Sequence, residues 1–342
     1  MKALNSPIPD KPKPALRLVK TKDLPRDDWL AVRQNGIGSS DAAAAVGLNP
    51  YKSQLELWLE KTGRKHLLPR EDANDEESPM YWGNLLEPIV AAHYTKRTGR
   101  RVRRLNAVLQ HPDHRLSWML ANIDREVIGC PEVQILECKT AGINGARLWK
   151  EGVPEYVVLQ VQHQLAVTGK QAADVAVLLG GQKLEIHRIE RDDGLIERLI
   201  ALEHIFWHAV ETDSPPPADG SDSAELALRS LYPSDTGSRL DFRDDRNLSA
   251  IFADLVNVRQ TLDEYGQVEA KLRQTIEQAM GEASGAQFET GSVSWKKSKD
   301  GIQLDVERLL KEQPELLKQY ARIRTGSRRF LVSTHTDNER SK

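Results

Sequence analysis

The stretch "ILECKTA", residues 135–141, sets two opposite charges, Glu137 and Lys139, two positions apart, directly after the apolar pair Ile135 and Leu136. A strand alternates its side chains between faces with period two. Glu137 and Lys139 therefore share one face, while Leu136 and Cys138 share the other. Burying such a pair as plain structure costs desolvation and returns little. An edge strand or the wet face of a sheet would accommodate it without any function. E-x-K is thus weak by itself, and its surroundings decide what it means.

At 342 residues, a prior of about 150 residues per domain gives roughly two folded units. Hydrophobic content of 39% and charged content of 29% describe a soluble globular chain, not a disordered or fibrous one. The formal charge of −2 is close to neutral, so any nucleic-acid footprint must be local. Cys130 and Cys138 are the two cysteines, which excludes a disulfide framework and a cysteine-based zinc site. That usage suits a reducing cytoplasm. The first residues lack the apolar core of a signal peptide, and no run of about 18 apolar residues implies a membrane span.

Residues 1–24 are Pro/Lys-rich and read as a flexible tail. The next block, 25–212, mixes helical and strand-like stretches. A short helix, a glycine turn and an Ala-rich helix are expected between Trp29 and Pro50, with Ser39 or Ser40 as the cap. Helices are expected over 53–63, 81–99, 158–169 and 194–212, and Gly180-Gly181 reads as a hairpin turn. "DSPPPADGSDS" opens a linker, 213–246. Beyond it, 247–342 reads as a helical arm with a small basic module. A helix over 248–281 would be roughly 50 Å long. A hairpin in "QFETGSVSWKKS" follows, then a helix from Asp305 and a basic strand. The fold class is α/β: a central mixed sheet flanked by helices, with a C-terminal long helix and a small α+β module.

Asp124 lies in the strand-like "LANIDREV", thirteen residues before Glu137. A hairpin-like pair of strands would bring Asp124, Glu137 and Lys139 together. The two carboxylates and a main-chain carbonyl, most simply that of Cys138, are hard oxygen ligands of the kind Mg²⁺ takes. Such an ion activates water and stabilises charge on a scissile phosphate. Lys139 would orient or polarise the attacking water. Glu87 offers a third carboxylate, acting through a metal-held water. It equally reads as an N-terminal helix carboxylate, with Pro88 in the first turn. Arg33, and Ser40 at a helix start, offer an anion pocket, or else a surface arginine and a cap. Gln160 and Gln164 share a helix face, as a site or as a solvated surface. His163 reads as structural.

In this order, "WLAVRQNGIGSSDAAAAVGLNPYKSQLELWLEKTG", "WGNLLEP", "LANIDREV", "LECKT" and "LQVQHQLAVTG" resemble the YqaJ-type viral recombinases, relatives of the phage lambda exonuclease within the PD-(D/E)XK nuclease superfamily. The resemblance spans about residues 27–212 and implies a restriction-endonuclease-like core. It implies that Asp124, Glu137 and the Cys138 carbonyl hold Mg²⁺, with Mn²⁺ as a substitute, and that Lys139 is the catalytic lysine. It implies that Glu87 supports the metal, that Gln160 contacts the phosphate or the water, and that Arg33 and Ser40 take a 5′-phosphate. Asn122 falls where a serine serves that phosphate in the lambda enzyme. Ile123 replaces the superfamily's proline before Asp124.

The function so implied is a 5′-to-3′ exonuclease on linear double-stranded DNA. It would leave 3′ overhangs for a single-strand annealing protein, and the enzyme would be a homo-oligomer, a trimeric ring by resemblance. A structure-specific endonuclease on the same fold and a non-catalytic DNA-binding recombination scaffold remain as alternatives. In the C-terminal third, Trp295, Lys296, Lys297, Lys299, Arg322, Arg324, Arg328, Arg329 and Phe330 form a basic–aromatic cluster. It suits accessory DNA contacts, or else a small charged module with its own aromatic core.

Overall fold

The computed structural model describes residues 14–69, 72, 75–323 and 326–334. Residues 1–13 of the expected tail and Arg324 of the basic–aromatic cluster lie outside them. The chain divides into two compact units, Met1–Tyr232 and Pro233–Lys342.

The first unit begins with β1 (Leu16–Lys20), α1 (Arg26–Gln34), β2 (Ile37–Gly38), α2 (Ala42–Ala45), α3 (Gln54–Lys61) and α4 (Pro79–Thr98). Strands β3 (Arg101–Arg103), β4 (Ala107–Gln110) and β5 (Met119–Ala121) follow, then the antiparallel pair β6 (Arg125–Ile128) and β7 (Ile135–Ala141). It closes with α5 (Glu155–Thr168), β8 (Ala172–Leu179), β9 (Lys183–Glu190), α6 (Asp193–Glu211) and α7 (Asp222–Leu231).

One sheet runs β3-β6-β7-β8-β9, and a smaller one runs β1-β4-β5-β2. Only β7 and β8 are parallel in the larger sheet, because α5 carries the chain across between them. Gly180 and Gly181, at φ +57° and +75°, turn β8 into β9 where a side chain would be strained. The mixed sheets flanked by helices are the architecture expected from the sequence.

The period-two alternation of β7 decides the layering. Ile135 joins the core beneath α5, where Val157, Val161 and Leu165 are fully buried, each contributing about 1.5–3 kcal/mol. Leu136 faces the other way, onto Val90, Ala91 and Tyr94 of α4. Glu137 and Lys139 thus point to the α5 side.

Several expectations change. Leu16–Lys20 is a strand paired with β4, so order begins inside the expected tail. The Ala-rich helix is a single turn, preceded by a 3₁₀ turn at Ser39–Asp41 whose cap position is Gly38, not Ser39 or Ser40. Pro79 occupies the first turn of α4, and Pro88 lies inside the helix, where it removes a backbone donor. Within the expected linker, α7 packs on α3: Ser223 Oγ accepts from Ser53 N at 2.8 Å, and Ala224 and Ala227 are buried. The first unit therefore extends to Tyr232.

Behind the sheet, Asp174 of β8 is 1% exposed and accepts hydrogen bonds from Tyr94 Oη (2.6 Å), Arg100 Nη1 (3.1 Å) and Arg188 Nε (2.5 Å). Removing it leaves the buried Tyr94 phenol without its acceptor and takes the shared carboxylate from Arg100 and Arg188. Asp174→Ala should lower stability by about 3 kcal/mol, read as a fall in the urea midpoint at neutral pH. An unchanged midpoint would show the network to be idle.

The second unit holds α8 (Arg246–Met280), the hairpin β10 (Gly285–Phe288) and β11 (Gly291–Ser294), then α9 (Val306–Glu312) and α10 (Glu315–Tyr320). Helix α8 is about 52 Å long and has no buried residue; Leu262, Tyr265 and Leu272 of its apolar stripe are exposed. Pro314 splits the expected single helix into α9 and α10, and no strand follows among the described residues. Lys296, Arg329, Trp295 and Phe330 are exposed, Arg259 stacks on Phe330 at 5.7 Å, and Lys297 pairs with Asp300 at 3.0 Å. No helix among the described residues is long and apolar enough to cross a membrane.

Candidate active site

The side chains pointing from β7 toward α5 meet a polar helix face. Gln160 lies one turn N-terminal to Gln164, so both reach the same patch of sheet. Gln160 Nε2 donates to Glu137 Oε1 at 2.6 Å, and Gln164 Nε2 donates to Glu137 Oε2 at 2.7 Å. Lys139 Nζ lies 2.9 Å from Gln160 Oε1 and 2.9 Å from Glu137 Oε1. The E-x-K spacing thus forms one clamp: Glu137 is buried at 3% exposure, and the Lys139 ammonium stays partly accessible. Burial pulls the Lys139 pKa down, but the Glu137 carboxylate outweighs it and the net direction is up, which keeps Lys139 charged.

Asp124 sits in the connection just before β6. Its Oδ2 accepts from Cys138 N at 2.8 Å, so the antiparallel β6–β7 register carries it beside Glu137. Burial first, then the charge of Glu137, pushes the Asp124 carboxyl up to about 8. The Cys138 thiol, pushed up by burial and these carboxylates, stays protonated. Two adjoining carboxylates with too little positive charge between them, plus a main-chain carbonyl, make a hard-oxygen set that fits a divalent cation.

Glu87 is placed differently. Its Oε1 accepts from Arg125 Nη1 and, at 2.9 Å, from Arg104 Nη2. Its charge reaches Asp124, but its carboxylate is taken up by guanidiniums. No group of three or more His, Cys, Asp or Glu side chains that could hold a metal occurs among the described residues.

Arg33 and Ser40 do meet, with Arg33 Nη2 donating to Ser40 Oγ at 2.7 Å. Sequence reasoning missed their buried partners Asp41 and Lys61. Asp41 Oδ1 accepts from Arg33 at 3.0 Å, and its Oδ2 accepts from Lys61 Nζ at 2.7 Å and Gly38 N at 3.1 Å. Burial alone would raise the Asp41 pKa, yet Arg33 and Lys61 hold it far below the usual carboxylate range. Gly38 leaves room for this approach, since a Cβ there would lie 3.0 Å from Arg33 Nη2 and 3.2 Å from Asp41 Oδ2. Trp29 covers the guanidinium at 4.8 Å. Trp29, Arg33, Ser40, Asp41 and Lys61 line a cavity of about 480 Å³ together with Lys52. With two cations against one carboxylate, Arg33, Lys61 and Asp41 make it electropositive.

Asn122 joins the two sites through its backbone. Its carbonyl accepts from Ser39 Oγ at 3.3 Å and from Gln164 Nε2 at 3.1 Å. The side-chain amide, expected to reach a phosphate, donates instead to the Ala107 carbonyl at 3.3 Å. Gln164 was legible only as half of an i, i+4 glutamine pair. His163 is structural: buried, it contacts Glu203 at 2.8 Å and the Leu120 carbonyl at 2.9 Å.

Residues 28–171 match the model of the YqaJ-like viral recombinase domain. The chain is 42% identical over 219 residues to the uncharacterized protein YqaJ of Bacillus subtilis (strain 168), covering 63% of this chain and 66% of that protein. It therefore spans 66% of that relative's length. Protein D345L of African swine fever virus (strain Badajoz 1971 Vero-adapted) is 36% identical over 75 residues, covering 22% of this chain and 20% of that one. Among solved structures, the alkaline exonuclease LHK-Exo of Laribacter hongkongensis is similar, with 24% identity, a TM-score of 0.46, and coverage of 55% of this chain and 94% of that one. Domain model and relative alike match the segment that carries "LECKT", so residues 28–171 are similar to the YqaJ-like viral recombinase domain.

Proposed function

We propose that this chain is a Mg²⁺-dependent exonuclease that degrades one strand of linear double-stranded DNA from a 5′-phosphorylated end. The 3′ overhangs so left would serve a single-strand annealing partner. The observation that carries this reading is the convergence of Asp124, Glu137, Lys139 and Gln160 on one face of the sheet. A divalent cation held by Asp124, Glu137 and the Cys138 carbonyl would activate water and neutralise charge on the scissile phosphate. Lys139, fixed as a cation by Glu137 and aimed by Gln160, would stabilise negative charge growing on the phosphate oxygens. Gln164 donates to the second oxygen of Glu137 and so would fix the orientation of that carboxylate. Glu87 would act by holding Arg125 and Arg104.

The electropositive cavity around Arg33 supports 5′-phosphate recognition, which an endonuclease has no need of. Digestion of linear duplex DNA with Mg²⁺ should proceed at least about tenfold faster from a 5′-phosphate than from a 5′-hydroxyl, a single charge-assisted contact being worth roughly that much. Arg33→Ala should erase the preference by slowing only the phosphorylated end. Cutting of closed circular DNA would replace this reading with the endonuclease, and a preference that survives Arg33→Ala would place the phosphate away from Arg33. Assembly as a closed homo-oligomer on the DNA belongs to the same proposal.

A further inference from the structure

Between Ser40 and α3 the chain turns through residues 46–53 and puts an aromatic ring into the open. Tyr51 is 64% exposed, although it lies in the segment that leads directly out of the Arg33–Ser40 cavity. The loop under it is tied down. Asn49 Oδ1 accepts from Tyr51 N at 2.8 Å and from Lys52 N at 3.1 Å, and Lys52 Nζ pairs with Glu60 at 2.9 Å. On the other side of the turn, Gln54 Nε2 donates to the Ala45 carbonyl at 2.7 Å.

The ring has one aromatic neighbour. Tyr156 meets it edge to face, with centroids 5.8 Å apart and planes at 88°. Tyr156 is half-buried, packed among Ala43, Leu159 and Leu199, which anchors the pair to α2 and α5. It lies one helical turn before Gln160 and close enough to Lys139 for their charges to act on each other. A held ring with an open face thus neighbours the hydrolytic clamp through Tyr156, and the next residue along the chain, Lys52, lines the cavity around Arg33. An exposed π-face beside a phosphate-binding site is what a nucleobase stacks on, whatever its sequence.

We propose that Tyr51, braced by Tyr156, is a stacking platform for the nucleobase of the 5′-terminal nucleotide, the one about to be removed. This rests on the nuclease reading above. Stacking would draw that base out of the duplex and help bring its phosphodiester to Lys139 and Glu137. It would make terminal melting part of substrate binding, with little effect on the hydrolytic step itself.

The test uses 5′-phosphorylated duplex DNA with 2-aminopurine as its terminal nucleotide, bound with Mg²⁺ to the full chain carrying Lys139→Ala so that the end persists. Stacking on Tyr51 should quench the fluorescence; adding Tyr51→Ala should abolish the quenching, and Tyr51→Phe should keep it. With Lys139 intact, Tyr51→Ala should raise KM about tenfold, the range for loss of one stacked base, while kcat moves less than about twofold. An abasic terminal nucleotide should raise KM equally for the unsubstituted chain and no further for Tyr51→Ala. Cleavage from 5′-phosphorylated ends with KM and quenching indifferent to Tyr51→Ala overturns the platform alone. An unsubstituted chain that neither binds nor cleaves such ends overturns the nuclease reading and the platform with it.

Discussion

Replacing Lys139 by alanine is expected to slow strand hydrolysis roughly a thousandfold while leaving the fold and DNA binding in place. The magnitude is that of losing one positioned charged group that acts in the transition state. The direction follows from the clamp: the ammonium is 2.9 Å from Glu137 and from Gln160, so its charge is both fixed and aimed. On the proposed reading it would orient and stabilise as a permanent cation, and would not abstract a proton. Its loss also leaves Glu137 and Asp124 less compensated, so affinity for a divalent cation should hold or rise. Lys139→Arg should rescue little, because a planar fork cannot reproduce the point contact. Single-turnover digestion of linear duplex DNA decides the matter, and a slowing of less than tenfold would remove Lys139 from the reaction.

The second large effect concerns Asp124 and pH. An aspartyl carboxyl in an unfolded chain titrates at about 4, whereas burial and the charge of Glu137 push Asp124 up to about 8 in the folded protein. Between those values the folded state holds a proton that the unfolded state has released. Without a divalent cation, stability should therefore fall as pH rises from about 4 to about 8, and level off above. The loss is on the order of several kcal/mol at most. A cation at Asp124 and Glu137 replaces the proton, so Mg²⁺ should raise Tm more at pH 8.5 than at pH 6. Asp124→Asn should flatten the pH dependence and abolish the Mg²⁺ effect together. A Mg²⁺-induced Tm shift of the same size in Asp124→Asn would place the cation elsewhere.

Much of this was legible because strand and helix periods are local. The alternation in "ILECKTA" fixed which face Glu137 and Lys139 share, and the i, i+4 spacing put Gln160 and Gln164 side by side. The sequence could not say that this glutamine face is buried against Glu137, since that depends on α5 crossing the sheet. Asp41 and Lys61 were invisible for a similar reason: twenty residues separate them, and only the packing of α3 beside the Ser39–Asp41 turn makes them partners. Proline misled in both directions. Pro88 read as a helix start yet sits in the middle of α4, where exposure makes the missing hydrogen bond tolerable, and Pro314 broke a helix that periodicity alone would have continued. The strand Leu16–Lys20 hid behind a Pro/Lys-rich neighbourhood and declared itself only through pairing with β4.

The Asn122 carbonyl, shared between Ser39 and Gln164, has a consequence for how DNA would be shortened. One peptide oxygen sets the interval between the cavity that would hold a terminus and the clamp that would cut. That interval belongs to the backbone and not to the substrate. On the proposed reading the protein then works as a gauge: every turnover releases a product of the same length, whatever its sequence, and a change that loosens this peptide should blur the length of the products before it slows their formation.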